Sequence, residues 1–267
     1  LMSSKNVTLN VDSRLYDQYR SYCRKNRVLV SQQFEIMMEE KVGSSYKKEK
    51  SKSKIISNGG INKYVGSLTG EPIMIHENKI VANLLLKDQS PSSIKELVVQ
   101  ENLFGYKTTK SIPKRVNSIL KRIGNLDNLL LNKIVNDLSG DGRVVILYSI
   151  YLRDRLFNEL LNELIIEKFA IRDFEFEKRM IQKFISDKSE DEKKIQEFTK
   201  ETKDKLGTVM FNILKEVGLV VSLDKSYKLH NLMISSELRN YYENKGETKF
   251  LRSLGASLWK LKNDWIS

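Results

Sequence analysis

Near its start the chain alternates. Val7, Leu9 and Val11 are apolar while Asn6, Thr8 and Asn10 are polar. This period of two predicts a half-buried strand. Asp12 or Ser13 then supplies a helix N-cap. Leu15, Tyr19, Tyr22 and Cys23 follow at helical spacing on one face. After a connection over residues 25–30, Ser31 is a second N-cap candidate. Phe34, Met37, Met38 and Val42 make another apolar stripe, and Gly43 ends it. Strand, helix, turn and helix in about 40 residues bury too little surface to stand alone, so this unit needs a partner.

Residues 44–58, SSYKKEKSKSKIISN, are rich in serine and lysine and read as a solvated linker. From Gly59 onward the pattern is helical nearly throughout. Helix starts are expected near Ile73, Ser90-Pro91, Thr108, Leu126, Gly142, Leu156, Arg172, Ser189 and Thr202. Serine caps and proline suits the first turn, which makes Ser90-Pro91 the clearest of these. The run from Val144 to Leu152 reads as a buried helix. Leu219–Leu223 and Tyr227–Leu229 are expected to pair as a short hairpin around Asp224–Ser226. The predicted fold is mainly α, with a module at 3–43, a linker at 44–58 and a multi-helix domain at 59–267.

Charge narrows the function. Lys+Arg total 46 against 34 Asp+Glu, a formal net charge of +12. Such a surplus favours polyanionic partners. The single Cys23 excludes an intramolecular disulfide and fits a reducing, cytoplasmic setting. His76 and His230 stand far apart, with no cluster at metal-ligand spacing, so no metal or other cofactor is expected. No run approaches the roughly 20 apolar residues of a membrane helix, and the first residues lack a signal-peptide pattern. No glycine-rich phosphate loop stands out. Acidic pairs such as Glu190-Asp191-Glu192 sit in solvated helical runs, and neither histidine has a nucleophile beside it. The expectation is a binding protein, not an enzyme.

Three constellations suit nucleic acid. The strand KNVTLNVD, the helix SRLYDQYRSYC and the serine-led SQQFEIMM resemble the ribbon-helix-helix family of DNA-binding proteins. The resemblance implies that two chains pair their strands into a ribbon that enters the major groove, and so a homodimer. With Val7, Leu9 and Val11 facing a core, Asn6, Thr8 and Asn10 face base edges. Lys5 then lies near phosphate, and the helix start at Ser31 offers free N–H groups to a phosphate oxygen. The alternative is a polar-faced strand that only dimerises, or that pairs with the helical domain.

The second constellation is a stretch from Glu101 to Asp127 with no acid between them. Lys107, Lys110, Lys114, Arg115, Lys121 and Arg122 all lie within it. Arg115 and Arg122 are seven apart and are expected to share a face, with Lys114 and Lys121 beside them. Val116, Ile119, Leu120 and Ile123 form the apolar side. The preceding PSSIKELVVQEN helix permits helix-turn-helix docking; a merely solvated basic face is the alternative. The third constellation is TKDKLGTVMFNILKEVG followed by the hairpin, the order of a winged helix. Lys203, Lys205 and Lys225 are there placed for phosphate, unless the hairpin only closes the core.

Taken together, YVGSLTGEP, ENLFGYKTTKSIPKRVNSILKRIGNL, TKDKLGTVMFNILKEVGLV and LDKSYKLHNLMISSELR resemble the BrxA family of bacterial BREX phage-defence systems, over residues of about 60–245. The resemblance implies a compact helical protein with helix-turn-helix or winged-helix-like parts that binds double-stranded DNA. It implies work beside a methyltransferase, an ATPase, a phosphatase-like protein and a protease-like protein, and it transfers no catalytic residue. The N-terminal unit is no part of that family's pattern, which leaves residues 3–43 to add dimerisation, operator binding or autoregulation. Two other readings stay open. One is a protein-interaction scaffold within the defence complex without DNA contact. The other is RNA binding, for which no exposed aromatic platform is evident.

Overall fold

The structure, a computed structural model, describes residues 11–25, 30, 34, 64, 66–70, 72–136, 140–224 and 226–255. The chain divides into two units, Leu1–Ser57 and Asn58–Ser267.

In the first unit, helix α1 (Ser13–Lys25) begins where a cap was expected: Asp12 Oδ1 accepts from the Leu15 amide at 2.9 Å. Cys23 is buried, and Tyr19 meets Phe34 edge-on with ring centroids 6.1 Å apart. The apolar stripe is only partly covered, since Leu15 is 66% exposed, and Val11 ahead of the helix is 48% exposed. The strand and the site residues Lys5, Asn6, Thr8, Asn10 and Ser31 lie outside the described residues.

The second unit opens with a short 3-10 turn, Gly66–Gly70. Then come α2 (Ile75–Leu86), α3 (Pro91–Gln100), α4 (Ile112–Ile123), α5 (Asn128–Val135) and α6 (Asp141–Tyr151). Most expected starts fall within two residues of the observed ones, and at α3 and α5 a side chain caps the helix. Ser90 Oγ accepts from Ser93 N ahead of α3, with Pro91 at the first position. Asp127 caps α5 through the Leu130 amide. Helix α6 is apolar from Val144 to Tyr151 except for Ser149, and every residue in it but Arg143 is buried, so it forms the axis of the core. At Thr108 the helix comes later than expected: a 3-10 turn, Thr109–Ser111, precedes α4.

One continuous helical rod follows, from α7 (Arg155–Glu159) through a π-helical turn, Leu160–Ile165, into α8 (Ile166–Ala170). The remaining elements are α9 (Lys178–Asp191), α10 (Lys193–Gln196), α11 (Lys200–Glu216), strands β1 (Val220–Leu223) and β2 (Ser226–Leu229), then α12 (Ser236–Asn244) and α13 (Thr248–Ser253). The hairpin has the expected place, with Val220 opposite Leu229 and Leu223 opposite Ser226. Lys225, at its turn, lies outside the described residues.

Two expected starts are corrected. No helix begins at Arg172. That residue has φ of 57°, and the chain beyond it is extended. Glu175 bridges Lys228 antiparallel, Leu229 N donates to Phe174 O at 2.7 Å, and Phe176 N donates to Tyr227 O at 2.9 Å. The alternation Phe174-Glu175-Phe176 is the signal for this third strand segment: Phe176 is fully buried and Phe174 half-buried. Ser189 does not start a helix either, because α9 runs on to Asp191. The spatial order is therefore 174–176, β2, β1, preceded by the α7–α8 rod, with Phe211 of α11 packed against Phe176 and Tyr227. Helices α9 and α11 pack closely at Gly207, where an added Cβ would sit 3.3 Å from Gln182 Cγ.

Among the described residues, no helix is long and apolar enough to cross a membrane. No group of three or more His, Cys, Asp or Glu there is placed to hold a metal ion.

Candidate nucleic-acid interface

The acid-free stretch is held from both sides. Asn102 clamps its first turn, with Nδ2 donating to Tyr106 O at 2.9 Å and Oδ1 accepting from Tyr106 N at 3.1 Å. Gly105, at φ 66°, supplies the backbone turn between them. Phe104 anchors the loop in the core. On α4, Ile112, Val116, Ile119 and Ile123 are fully buried, while Lys114 and Lys121 stand exposed one heptad apart, on the same side. Lys107 and Lys110 are exposed on the preceding loop and turn.

The ion pairs among the described residues lie elsewhere, on Lys133, Arg155, Lys168, Arg179, Lys188, Lys194, Lys228 and Lys245. The two arginines, also one heptad apart on α4, differ in burial. Arg115 is half-buried, its guanidinium 5.1 Å from the centroid of the Tyr106 ring. Arg122 is only 7% exposed and donates through Nη1 to the Pro72 carbonyl at 2.8 Å. The cause is that the segment leading into α2 crosses this side of α4, which widens the buried arc beyond the apolar stripe. Arg122 therefore holds the fold together and is not displayed.

Lys203 and Lys205 lie on the first turns of α11, the former half-buried and the latter exposed. Thr199 caps this helix by accepting from Thr202 N at 3.2 Å. The exposed Lys200 adjoins them, a residue that the sequence reading missed although it begins the same charged run. Glu201 and Asp204 are interspersed, so this helix start is mixed in charge.

The turn Gly66–Gly70 brings the two basic regions together. A Cβ at Gly70 would lie 3.5 Å from Lys114 Nζ, and one at Gly66 would lie 3.6 Å from the Thr202 methyl carbon. At about 2 Å of rise per residue, the turn keeps Lys114 and the start of α11 less than ~20 Å apart. That span is of the order of a major groove (~12 Å) with its flanking backbones. Both distances are ordinary van der Waals contact, so the turn touches α4 on one side and α11 on the other. Tyr64, two residues before the turn, is fixed by hydrogen bonds to both Glu159 oxygens at 2.9 Å, with Arg155 4.1 Å from its ring centroid. Burial, and then the bond to Glu159, push the Tyr64 hydroxyl well above its ordinary range.

A helical protein with a small three-segment sheet and an uncapped basic stripe is thereby defined, and comparison with known proteins gives its kinship. The family model described as BrxA matches residues 62–246. The chain belongs to the BrxA family. A "BREX protein BrxA" of Bacillus cereus (strain H3081.97) is 30% identical over 155 residues, which make up 58% of this chain and 78% of that protein. Another of the same name, from Paramagnetospirillum magneticum (strain ATCC 700264 / AMB-1), is 20% identical over 197 residues, 73% of this chain and 98% of that one. The crystal structure of an uncharacterized protein from Magnetospirillum magneticum shares the fold, with TM-score 0.61 at 18% identity, over 72% of this chain and 97% of its own.

Proposed function

We propose that this chain is a non-enzymatic, cytoplasmic accessory protein of a BREX-type phage-defence system that binds double-stranded DNA through electrostatic contacts to the phosphate backbone. The observation that carries the reading is the set of exposed lysines Lys107, Lys110, Lys114 and Lys121, none in an ion pair with a carboxylate among the described residues. Lysines so placed neutralise phosphates and release counterions, giving affinity with little sequence preference. The order rod, strand segment, α9, α11, hairpin, with the sheet order 174–176, β2, β1, supports a winged-helix reading of this part. In it α11 faces the duplex and the hairpin turn with Lys225 is the wing. Any base preference is assigned to Asn6, Thr8 and Asn10 of the ribbon-helix-helix-like module, which also pairs two chains into a homodimer. Other phage-defence proteins are the further partners, as the names of the relatives suggest.

Replacing Lys107, Lys110, Lys114 and Lys121 together by Ala tests the reading. Duplex affinity should drop at least tenfold with the thermal transition unchanged. Unchanged affinity would remove this stripe from the interface.

A second reading, an interaction scaffold without DNA contact, draws on exposed apolar side chains: Ile171 and Met233 are each 66% exposed and Leu223 is 49% exposed. Retained capture of defence components by the quadruple variant, with no duplex binding by either form, would favour it.

A further inference from the structure

Beside the lysine stripe, an open depression of about 520 Å³ is lined by Glu77, Tyr106, Lys107, Thr108, Ser111 and Arg115. Its walls come from α2, the 101–111 loop and α4, and each is fixed. The Asn102 clamp sets the backbone at Tyr106. The Tyr106 hydroxyl donates to Glu77 across to α2. Burial, and then that bond, push the phenol up to about 12, so it stays a neutral donor. The ring in turn carries the Arg115 guanidinium.

We infer that this depression is a phosphate-binding notch, in which Arg115 and Lys107 supply charge and Thr108 and Ser111 supply hydroxyl donors to one phosphoryl group. Two cations and two hydroxyls around a preformed hollow match the several acceptor oxygens and the negative charge of that group. Glu77 is the opposing charge. Its hydrogen bond from Tyr106 engages it with the wall, and its field also reaches Glu216, whose carboxyl burial and then Glu77 push up. The notch thus differs from the stripe: the stripe attracts a polyanion diffusely, whereas the notch seats a single group at a fixed place. As a seat for a backbone phosphate it rests on the proposed DNA binding; as a seat for free phosphate it does not.

The test is calorimetric titration of the full chain with inorganic phosphate at constant ionic strength, and with a 20-base-pair duplex. The variants are Ser111→Asp and Arg115→Gln, with Asn244→Asp as a charge-matched control. Ser111 is exposed and makes no cap bond to α4, so aspartate there removes no helix contact and places a carboxylate in the notch. Saturable phosphate binding that is lost in Ser111→Asp but kept in Asn244→Asp supports the notch. If the duplex displaces the phosphate, its source is the backbone. If phosphate binds and the duplex does not, the notch stands and the DNA reading fails. No saturable phosphate binding, together with Ser111→Asp matching Asn244→Asp in duplex affinity, overturns the notch and leaves the DNA reading intact.

Discussion

The Arg122 guanidinium reaches the carbonyl of Pro72, 50 positions away in the chain, at 2.8 Å. Truncating it would take this donor from the Pro72 carbonyl and leave space beneath α4. Arg122→Ala is expected to cost about 2–4 kcal/mol of stability, whereas Lys121→Ala, exposed next door, should stay within ~0.5 kcal/mol. Urea denaturation of the two variants checks this. Equal midpoints would mean that Arg122 does not tie these segments together.

This arginine also marks where sequence reading stops. Helix periodicity and the caps at Asp12 and Ser90 were legible because these side chains do locally what their chemistry dictates. The apolar stripe of α4 was legible for the same reason. The fate of Arg122 depends on a segment far away in sequence, which no local pattern encodes. Residues 172–177 misled for a related reason. Their strand character comes from pairing with β2, and only the short Phe-Glu-Phe alternation hinted at it. At the site, the lysines were legible one by one, but the turn that sets Lys114 beside the start of α11 was not.

Asp141 gives a pH-dependent prediction. Burial pushes its carboxyl up, but hydrogen bonds from the Ser235 hydroxyl and amide, and then Lys133, outweigh this and hold it below the ordinary 3.8. The Ser235 amide is 2.9 Å and Lys133 Nζ 3.1 Å from its oxygens. A depressed folded pKa contributes stability that is present above the unfolded value and is lost as pH falls through the folded one. Asp141→Asn should therefore cost about 1–3 kcal/mol at neutral pH, with the gap to wild type closing below 3.8. Thermal melts from pH 7 down to pH 3 would show it. A gap independent of pH contradicts the assignment.

The α9–α11 contact at Gly207 leaves no room for a large side chain. Gly207→Leu should destabilise by roughly 1–3 kcal/mol through overpacking against Gln182 and Ile185. Denaturant titration is the check, and a variant as stable as wild type would show that the two helices part freely.

Pairing through the first unit predicts a change of mass on truncation. Sedimentation of the whole chain should give a dimer, and a chain lacking residues 1–45 should give a monomer. Identical states for the two would refute pairing there.

The central claim is that uncapped lysines hold a duplex by displacing its counterions. Titrating labelled duplex from about 50 to 200 mM salt tests it most directly. The account predicts that log affinity falls linearly with log salt, and that each of Lys107, Lys110, Lys114 and Lys121 changed to Ala lowers the slope by about one. Affinity that ignores salt, or a slope unmoved by all four changes, would contradict it.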